Sequence, residues 1–234
     1  MRGAGSVNAD GFGIGWLVDS VGSPHAGTVA RRYRRDRPIW SDATLPDLAE
    51  SVTSGAILAA VRNATVGMPV VETACAPFVE GSWMFSHNGF VQGWPDSVAP
   101  LAKVLPPAVL MTLEAPTDSA FLWALVRARL REGHSGAKAL AGVAEDVMAM
   151  APRSRLNLLL HDGPNIAATT VTHSLWVLQG EGHVMVSSEP LDPDDERWQP
   201  VPDLCLLEAT ATQHSISPLF DQTSSYPTSA QGSP

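Results

Sequence analysis

Two segments of the sequence place charged side chains where a small zwitterion could be held. Arg62 ends the apolar run AAV, and Thr65 follows it in the loop. The guanidinium of Arg62 can grip a carboxylate through two parallel hydrogen bonds, although a structural carboxylate is an equally good partner. Asp118 opens a helical pattern, where it either favours the helix dipole or holds a ligand ammonium group. Together, Arg62 and Asp118 would recognise an α-amino-acid head group.

The segment SHNGF, residues 86–90, lies between the apolar runs WMF and FV. Asn-Gly in that setting predicts a type I′ hairpin turn. A second interpretation is an oxyanion hole, because the Asn88 amide and the Gly89 backbone N–H are two donors that can converge on one oxygen. Glycine suits that role, since no Cβ blocks the substrate. Both interpretations stay open at this point.

The segment NADGFGIGW, residues 8–16, contains three alternating glycines. It does not match the dinucleotide-binding pattern G-x-G-x-x-G, because Trp16 stands at the last position and no helical pattern follows. A period of two predicts a strand with apolar bulk on one face and bare glycine on the other. Bare glycine in a strand indicates close approach of another backbone or a ligand. We expect this face to seat a neighbouring strand.

The composition narrows the class of protein. The 234 residues are 44% hydrophobic with a formal net charge of −9, which argues against nucleic acid and membrane surfaces as partners. The arginine-rich run RRYRRDRP, residues 31–38, is interpreted as a solvated strand face. No apolar stretch is long enough to span a membrane and no signal peptide is evident, so we expect a cytoplasmic protein. Two cysteines and scattered histidines predict no metal site or disulfide framework.

Periodicity and turn signals predict an α+β fold of antiparallel strands. The expected strands are 12–19, 29–35, 56–62, 83–86, 155–161, 166–171, 174–179, 183–187 and 204–209. Helical patterns cover 118–132, with Thr117 as its cap, and 137–150, while a short one covers 45–53. Residues 213–234 are rich in Ser, Thr, Pro and Gln, and we expect this tail to be disordered.

The order of the segments NADGFG, VRNATVG, SHNG, TDS and VSSEP resembles that of class II glutamine amidotransferases. RRYRRDRPIWSD and NATVGMPV are similar to the branch that hydrolyses γ-glutamyl-hercynylcysteine sulfoxide in ergothioneine biosynthesis. The resemblance covers residues 8–210. It implies an N-terminal-nucleophile hydrolase, an αββα sandwich of two stacked antiparallel sheets, that releases glutamate from a γ-glutamyl amide without a cofactor.

The resemblance also implies roles for individual residues. Arg62 would bind the glutamyl α-carboxylate with Thr65 nearby, and Asp118 would hold the α-ammonium. Asn88 and Gly89 would form the oxyanion hole. The loop beside the nucleophile would be shaped by Asn8, Asp10 and Gly11. The partner implied is a small γ-glutamyl molecule, while a homo-oligomer or a synthase partner stays open.

The sequence departs from this family at the nucleophile, which is a cysteine at the mature N-terminus that uses its own α-amino group as base. This chain begins Met1-Arg2-Gly3. We therefore expect residues 1–212 to form the amidotransferase-like domain without its first strand, because the start lies too far downstream. The alternatives are a catalytically inactive γ-glutamyl-binding or complex-forming relative, and an interaction protein unrelated to glutamine chemistry. Cys75, a loop thiol, is a weak substitute nucleophile.

Overall fold

The computed structural model describes residues 7–19 and 27–220. The strands are β1 Gly11–Asp19, β2 Thr28–Arg35, β3 Ile57–Arg62, β4 Phe78–Glu80, β5 Trp83–Phe90, β6 Arg155–His161, β7 Ile166–Thr170, β8 Trp176–Gly180, β9 His183–Ser187, β10 Trp198–Pro200, β11 Cys205–Ala209 and β12 His214–Pro218. The α-helices are α1 Leu45–Ser51, α2 Pro107–Met111, α3 Asp118–Arg131 and α4 Gly136–Met150, and 3₁₀ helices cover Ile39–Ser41, Glu72–Ala74 and Asp96–Val104.

The first layer is a six-stranded antiparallel sheet in the order β12-β11-β7-β6-β5-β4. Helices α3 and α4 pack on its outer face, where Phe85 stacks on Trp123 with ring centroids 5.4 Å apart. Alternation along β6 separates the two faces of the sheet: Leu158 and Leu160 join the helix side, whereas Leu159 packs against the second layer. The sheet is therefore apolar on both faces.

The second layer consists of two three-stranded antiparallel sheets, in the orders β2-β1-β3 and β10-β8-β9. Both pack on the inner face of the six-stranded sheet, because Leu159 contacts the apolar clusters under each of them. Stacked antiparallel sheets were predicted and are confirmed, but the second layer is divided. Within the described residues, β3 is the last strand at one edge of the first of these sheets, and β9 is the last strand at one edge of the other.

The glycine face of β1 has a neighbour other than the one expected. A side chain at Gly13 would collide with the backbone oxygen of Ala76, and one at Gly15 would come within 2.7 Å of Pro77 and 2.9 Å of the Met84 sulfur. The glycine face of β1 therefore packs against the loop before β4 and the start of β5, which belong to the first layer. The expectation of an additional strand on this face is wrong, because the two layers already meet there.

The arginine run on β2 is not the solvated face that was predicted. Arg32 makes a two-pronged contact with Glu114 at 2.7 and 3.1 Å, and Arg34 reaches the same carboxylate at 3.0 Å. Arg34 is only 7% exposed, and it donates to the backbone oxygen of Cys75 at 3.1 Å. Burial lowers the pKa of Arg34, with a further reduction from Arg32. These arginines fix the loop that carries Cys75, because that loop contributes carbonyl acceptors.

Most periodic segments form the elements that were predicted. The nine expected strands and the two long helices are present, and the Thr117 hydroxyl caps α3 by accepting from Ala120 N at 3.2 Å. The tail prediction is wrong for His214–Pro218, which form β12 because β11 offers it a free edge. Residues 221–234 lie outside the described residues. No helix in the described ranges is long and apolar enough to cross a bilayer.

The contact between the layers at Gly13 can be tested by substitution. Gly13→Ala forces a methyl group against the Ala76 carbonyl, so we expect the free energy of unfolding to fall by about 1–3 kcal/mol. Gly55→Ala is the control, because nothing lies within 4 Å of the added carbon. Urea denaturation followed by circular dichroism gives both values. Equal effects at the two positions would contradict the close approach.

Candidate active site

A cavity of about 610 Å³ lies between the two layers. The ends of β3 and β9 line it from the second layer, while β5, the first turn of α3 and the start of β6 line it from the first. Of the residues predicted for the site, those on the cavity wall are Asn8, Arg62, Thr65, Asn88, Gly89 and Asp118. The fold therefore brings together side chains that are far apart in sequence.

Arg62 is the half-buried end of β3. Its neighbourhood is fixed by Asp10, whose backbone N–H donates to the Arg62 oxygen at 3.0 Å and whose carboxylate accepts from Ala64 N at 2.8 Å. Gly11 is the direct partner of Arg62 across the β1–β3 ladder. Asp10 and Gly11 thus support the site from behind its wall. The Nη1 atom of Arg62 is buried without a hydrogen-bond partner in the described structure. An unpaired buried donor is costly, so this atom is suited to a ligand oxygen.

Asn88 and Gly89 lie inside β5, paired with Asn157 and Leu156 of β6. The predicted hairpin turn is therefore wrong, because the strand continues through Asn-Gly to Phe90. Gly89 has a φ of 150°, and a side chain there would collide with the backbone oxygen of Arg155. Only glycine fits this position. An exposed Asn88 amide beside this glycine keeps the donor pair that an oxyanion hole requires.

Asp118 is 5% exposed at the start of α3. Its Oδ2 accepts from Val91 N at 2.9 Å, and its Oδ1 accepts from Ser119 N at 2.7 Å. A carboxylate has about four acceptor positions, so these two bonds orient the group and leave capacity for a ligand ammonium. Its negative charge at the start of α3 favours the helix dipole, and its side chain also lines the cavity.

His87 connects three parts of the site. Its Nε2 lies 3.0 Å from the Arg155 carbonyl oxygen, which can only accept, so Nε2 carries the proton in the neutral ring. Its Nδ1 then accepts from the Ser119 hydroxyl at 3.0 Å. The imidazole of His87 thus links β5 to β6 and to the first turn of α3, next to Asn88. Its role here is to position the strand that carries the oxyanion donors.

Cys75 lies at the cavity but is 0% exposed. Its Sγ contacts the Arg35 oxygen at 3.3 Å, and a side chain at Gly11 would strike this sulfur. Burial raises the pKa of the Cys75 thiol, more than the Arg62 charge lowers it. A neutral, enclosed thiol is a poor nucleophile. Cys205 is on β11 and is absent from the cavity wall.

Sequence patterns did not single out two basic residues of the wall, Arg155 and His173. Arg155 begins β6 opposite Phe90, and His173 lies in the loop before β8. No motif spacing marks either residue, because only strand pairing brings them to the cavity. Among the described residues, no group of three His, Cys, Asp or Glu side chains is arranged to hold a metal ion.

Solved structures of other proteins share this architecture. A glutamine aminotransferase class-II domain protein from Silicibacter pomeroyi superimposes with a TM-score of 0.63 over 91% of this chain and 92% of its own, at 24% identity. Glutamine phosphoribosylpyrophosphate amidotransferase from B. subtilis gives a TM-score of 0.63 over 91% of this chain and 43% of its own, at 13% identity. The fold is that of the N-terminal-nucleophile hydrolases, as the family resemblance implied.

Sequence relatives define the family within that class. The model of the class-II glutamine amidotransferases matches residues 1–183. The γ-glutamyl-hercynylcysteine sulfoxide hydrolase of Mycolicibacterium smegmatis is 37% identical over 92% of this chain and 84% of its own length, and that of Mycobacterium tuberculosis is 38% identical over 88% and 77%. This chain belongs to the class II glutamine amidotransferase family. An interaction protein unrelated to that family is excluded.

The state of Cys75 can be measured directly. Because burial raises the pKa of its thiol, we expect less thiolate at pH 8 than in the unfolded chain, and alkylation by iodoacetamide about tenfold slower or more. Peptide mass spectrometry separates Cys75 from Cys205, and the urea-unfolded chain is the reference. Rapid alkylation of native Cys75 at pH 7 would contradict an enclosed neutral thiol.

Proposed function

We propose that this chain forms the recognition and oxyanion-stabilising part of an amidohydrolase that releases glutamate from a γ-glutamyl amide. The observation that carries the proposal is the unpaired, buried Nη1 of Arg62 in the same cavity as Asp118 and Asn88. Arg62 would bind the glutamyl α-carboxylate beside Thr65, and Asp118 would bind the ammonium. Asn88 and Gly89 would stabilise the oxyanion that forms at the γ-carbonyl.

The substrate we propose is γ-glutamyl-hercynylcysteine sulfoxide, the molecule in the names of the two mycobacterial relatives. Hydrolysis would give glutamate and hercynylcysteine sulfoxide, which places the reaction in ergothioneine biosynthesis. The α-amino group of the cysteine would take the thiol proton as the sulfur attacks the γ-carbonyl carbon, and would pass this proton to the departing amine. Water would then cleave the thioester, which gives glutamate and restores the thiol. The cysteine and water supply every covalent bond that forms, and the oxyanion donors stabilise the charge, so the proposed reaction needs no metal or organic cofactor.

Neither of the two cysteines in the described residues is placed to act as the nucleophile in this cavity. Cys75 is enclosed and lacks a free α-amino group, so it has no built-in base. The edges of β3 and β9 both line the cavity and both have an open side within the described residues. We propose that turnover requires a cysteine on one further strand, which would pair with these edges and bring the thiol next to Arg62.

The second candidate function is a catalytically inactive relative that binds γ-glutamyl compounds or joins a complex. The observation that favours it is the position of the two cysteines of the sequence, one enclosed and one away from the cavity. Both candidates require the same head-group contacts. They differ in whether a correctly placed thiol restores hydrolysis.

Head-group binding can be tested without turnover. We expect the purified chain to bind γ-glutamylglycine in a calorimeter, and Arg62→Gln to weaken this binding at least tenfold because a charge-assisted pair is lost. Arg31→Gln is the matched control, since Arg31 is an exposed arginine outside the cavity wall. Equal affinities of the two variants would contradict a carboxylate contact at Arg62.

Turnover is tested by supplying the nucleophile. The 234-residue chain should release no glutamate from a γ-glutamyl substrate. A variant extended by Met-Cys and an apolar strand, from which Met is removed, should release it, and the same extension with Ala for Cys should not. Hydrolysis by the 234-residue chain itself would overturn the requirement for an added cysteine. Binding without hydrolysis by the Cys-extended variant would support the inactive relative.

A further inference from the structure

The cavity wall holds more basic side chains than a glutamyl head group uses. Arg62 and Asp118 match the α-carboxylate and the ammonium of that head group. A second set of side chains is left over, and it consists of Arg155, His173 and His87. Since His87 is already bonded on both ring nitrogens, Arg155 and His173 are the members with capacity for a ligand.

Arg155 is held beside the oxyanion donors by the β5–β6 ladder, in which it pairs with Phe90, the residue after Gly89. Its guanidinium carbon lies 5.4 Å from the centre of the Phe90 ring, an arrangement that favours a flat cation. Within the described residues no carboxylate forms an ion pair with it. Arg32 and Arg34 differ from Arg155, because both form ion pairs with Glu114.

His173 places a second donor near Arg155. Its loop is fixed by Asn157, whose Nδ2 donates to the His173 backbone oxygen at 3.1 Å. The half-buried ring lines the cavity and has no side-chain hydrogen bond to the described residues. Burial lowers the pKa of His173, and the charges of Arg155 and His87 lower it further. A neutral imidazole still offers one N–H to an oxygen.

We propose that Arg155 and His173 form a second carboxylate-binding subsite, which receives the α-carboxylate of an amino-acid leaving group. In a γ-glutamyl amino acid, this carboxylate sits on the carbon attached to the amide nitrogen. A subsite for it must therefore adjoin the oxyanion donors, and strand pairing places Arg155 there. The inference rests on the proposed function and assigns the residues that distinguish γ-glutamyl amino acids from simple γ-glutamyl amides.

The test compares two ligands that differ in this carboxylate. Calorimetry measures binding of γ-glutamylglycine and of γ-glutamylethylamide, which has a methyl group in its place. We expect the unmodified chain to prefer γ-glutamylglycine about tenfold, the effect of a charge-assisted hydrogen bond. Arg155→Gln should remove this preference by weakening γ-glutamylglycine binding alone, and His173→Ala should reduce it.

The matched control is Arg153→Gln, because Arg153 is an exposed arginine two positions earlier that contacts Gln92 outside the cavity wall. The Arg153→Gln variant should keep the full preference for γ-glutamylglycine over γ-glutamylethylamide. Equal binding of the two ligands by the unmodified chain, or a preference that survives Arg155→Gln, would overturn the subsite while the head-group site stands. Failure of both ligands to bind would overturn the proposed function and the subsite with it.

Discussion

The close approach of β1 to the loop before β4 is the constraint on which the site depends. Glycine at positions 13 and 15 allows this approach, because a side chain at either position would meet the loop or Met84. Since Gly11 and Arg62 are direct ladder partners, the same contact sets where the end of β3 lies relative to β5. The spacing between the layers therefore determines whether Arg62, Asn88 and Asp118 share one cavity.

Three arginines of the β2-β1-β3 sheet differ in what pairs with their guanidinium groups. Arg32 and Arg34 share the Glu114 carboxylate, and Arg34 also holds the Cys75 loop through a carbonyl. Arg62 is instead left with a buried donor atom unpaired at the cavity. A buried polar group without a partner costs free energy, and a ligand that supplies the partner recovers it. Arg32 and Arg34 therefore stabilise the fold, whereas the unpaired donor of Arg62 lies at the cavity and is suited to a ligand.

The sequence predicted the elements whose signals are local. Long periodic helices, alternating strands and the Thr117 cap all depend on nearby residues, and the structure contains them. The short strands β4, β10 and β12 were not predicted, because three to five residues form a strand only when a partner edge is present. The burial of Arg34 was also not predicted, because its hydrogen-bond acceptors lie about 40 residues away in the sequence or more.

The predicted site shows the same division between local and long-range signals. Motif order located Arg62, Asn88, Gly89 and Asp118, and the fold brings them to one cavity. Arg155 and His173 have no local signal, because β-ladder pairing and a loop anchor bring them there. The glycine pattern correctly indicated a close approach, but the sequence alone did not identify what approaches it.

A crystal structure of this chain with γ-glutamylglycine would show the head-group contacts themselves. We expect the glutamyl α-carboxylate at Nη1 of Arg62 and its ammonium at the Asp118 carboxylate. The γ-carbonyl oxygen should lie within hydrogen-bond distance of the Asn88 amide and the Gly89 N–H. A ligand bound in this cavity with its α-carboxylate away from Arg62, or bound outside the cavity altogether, would contradict these contacts.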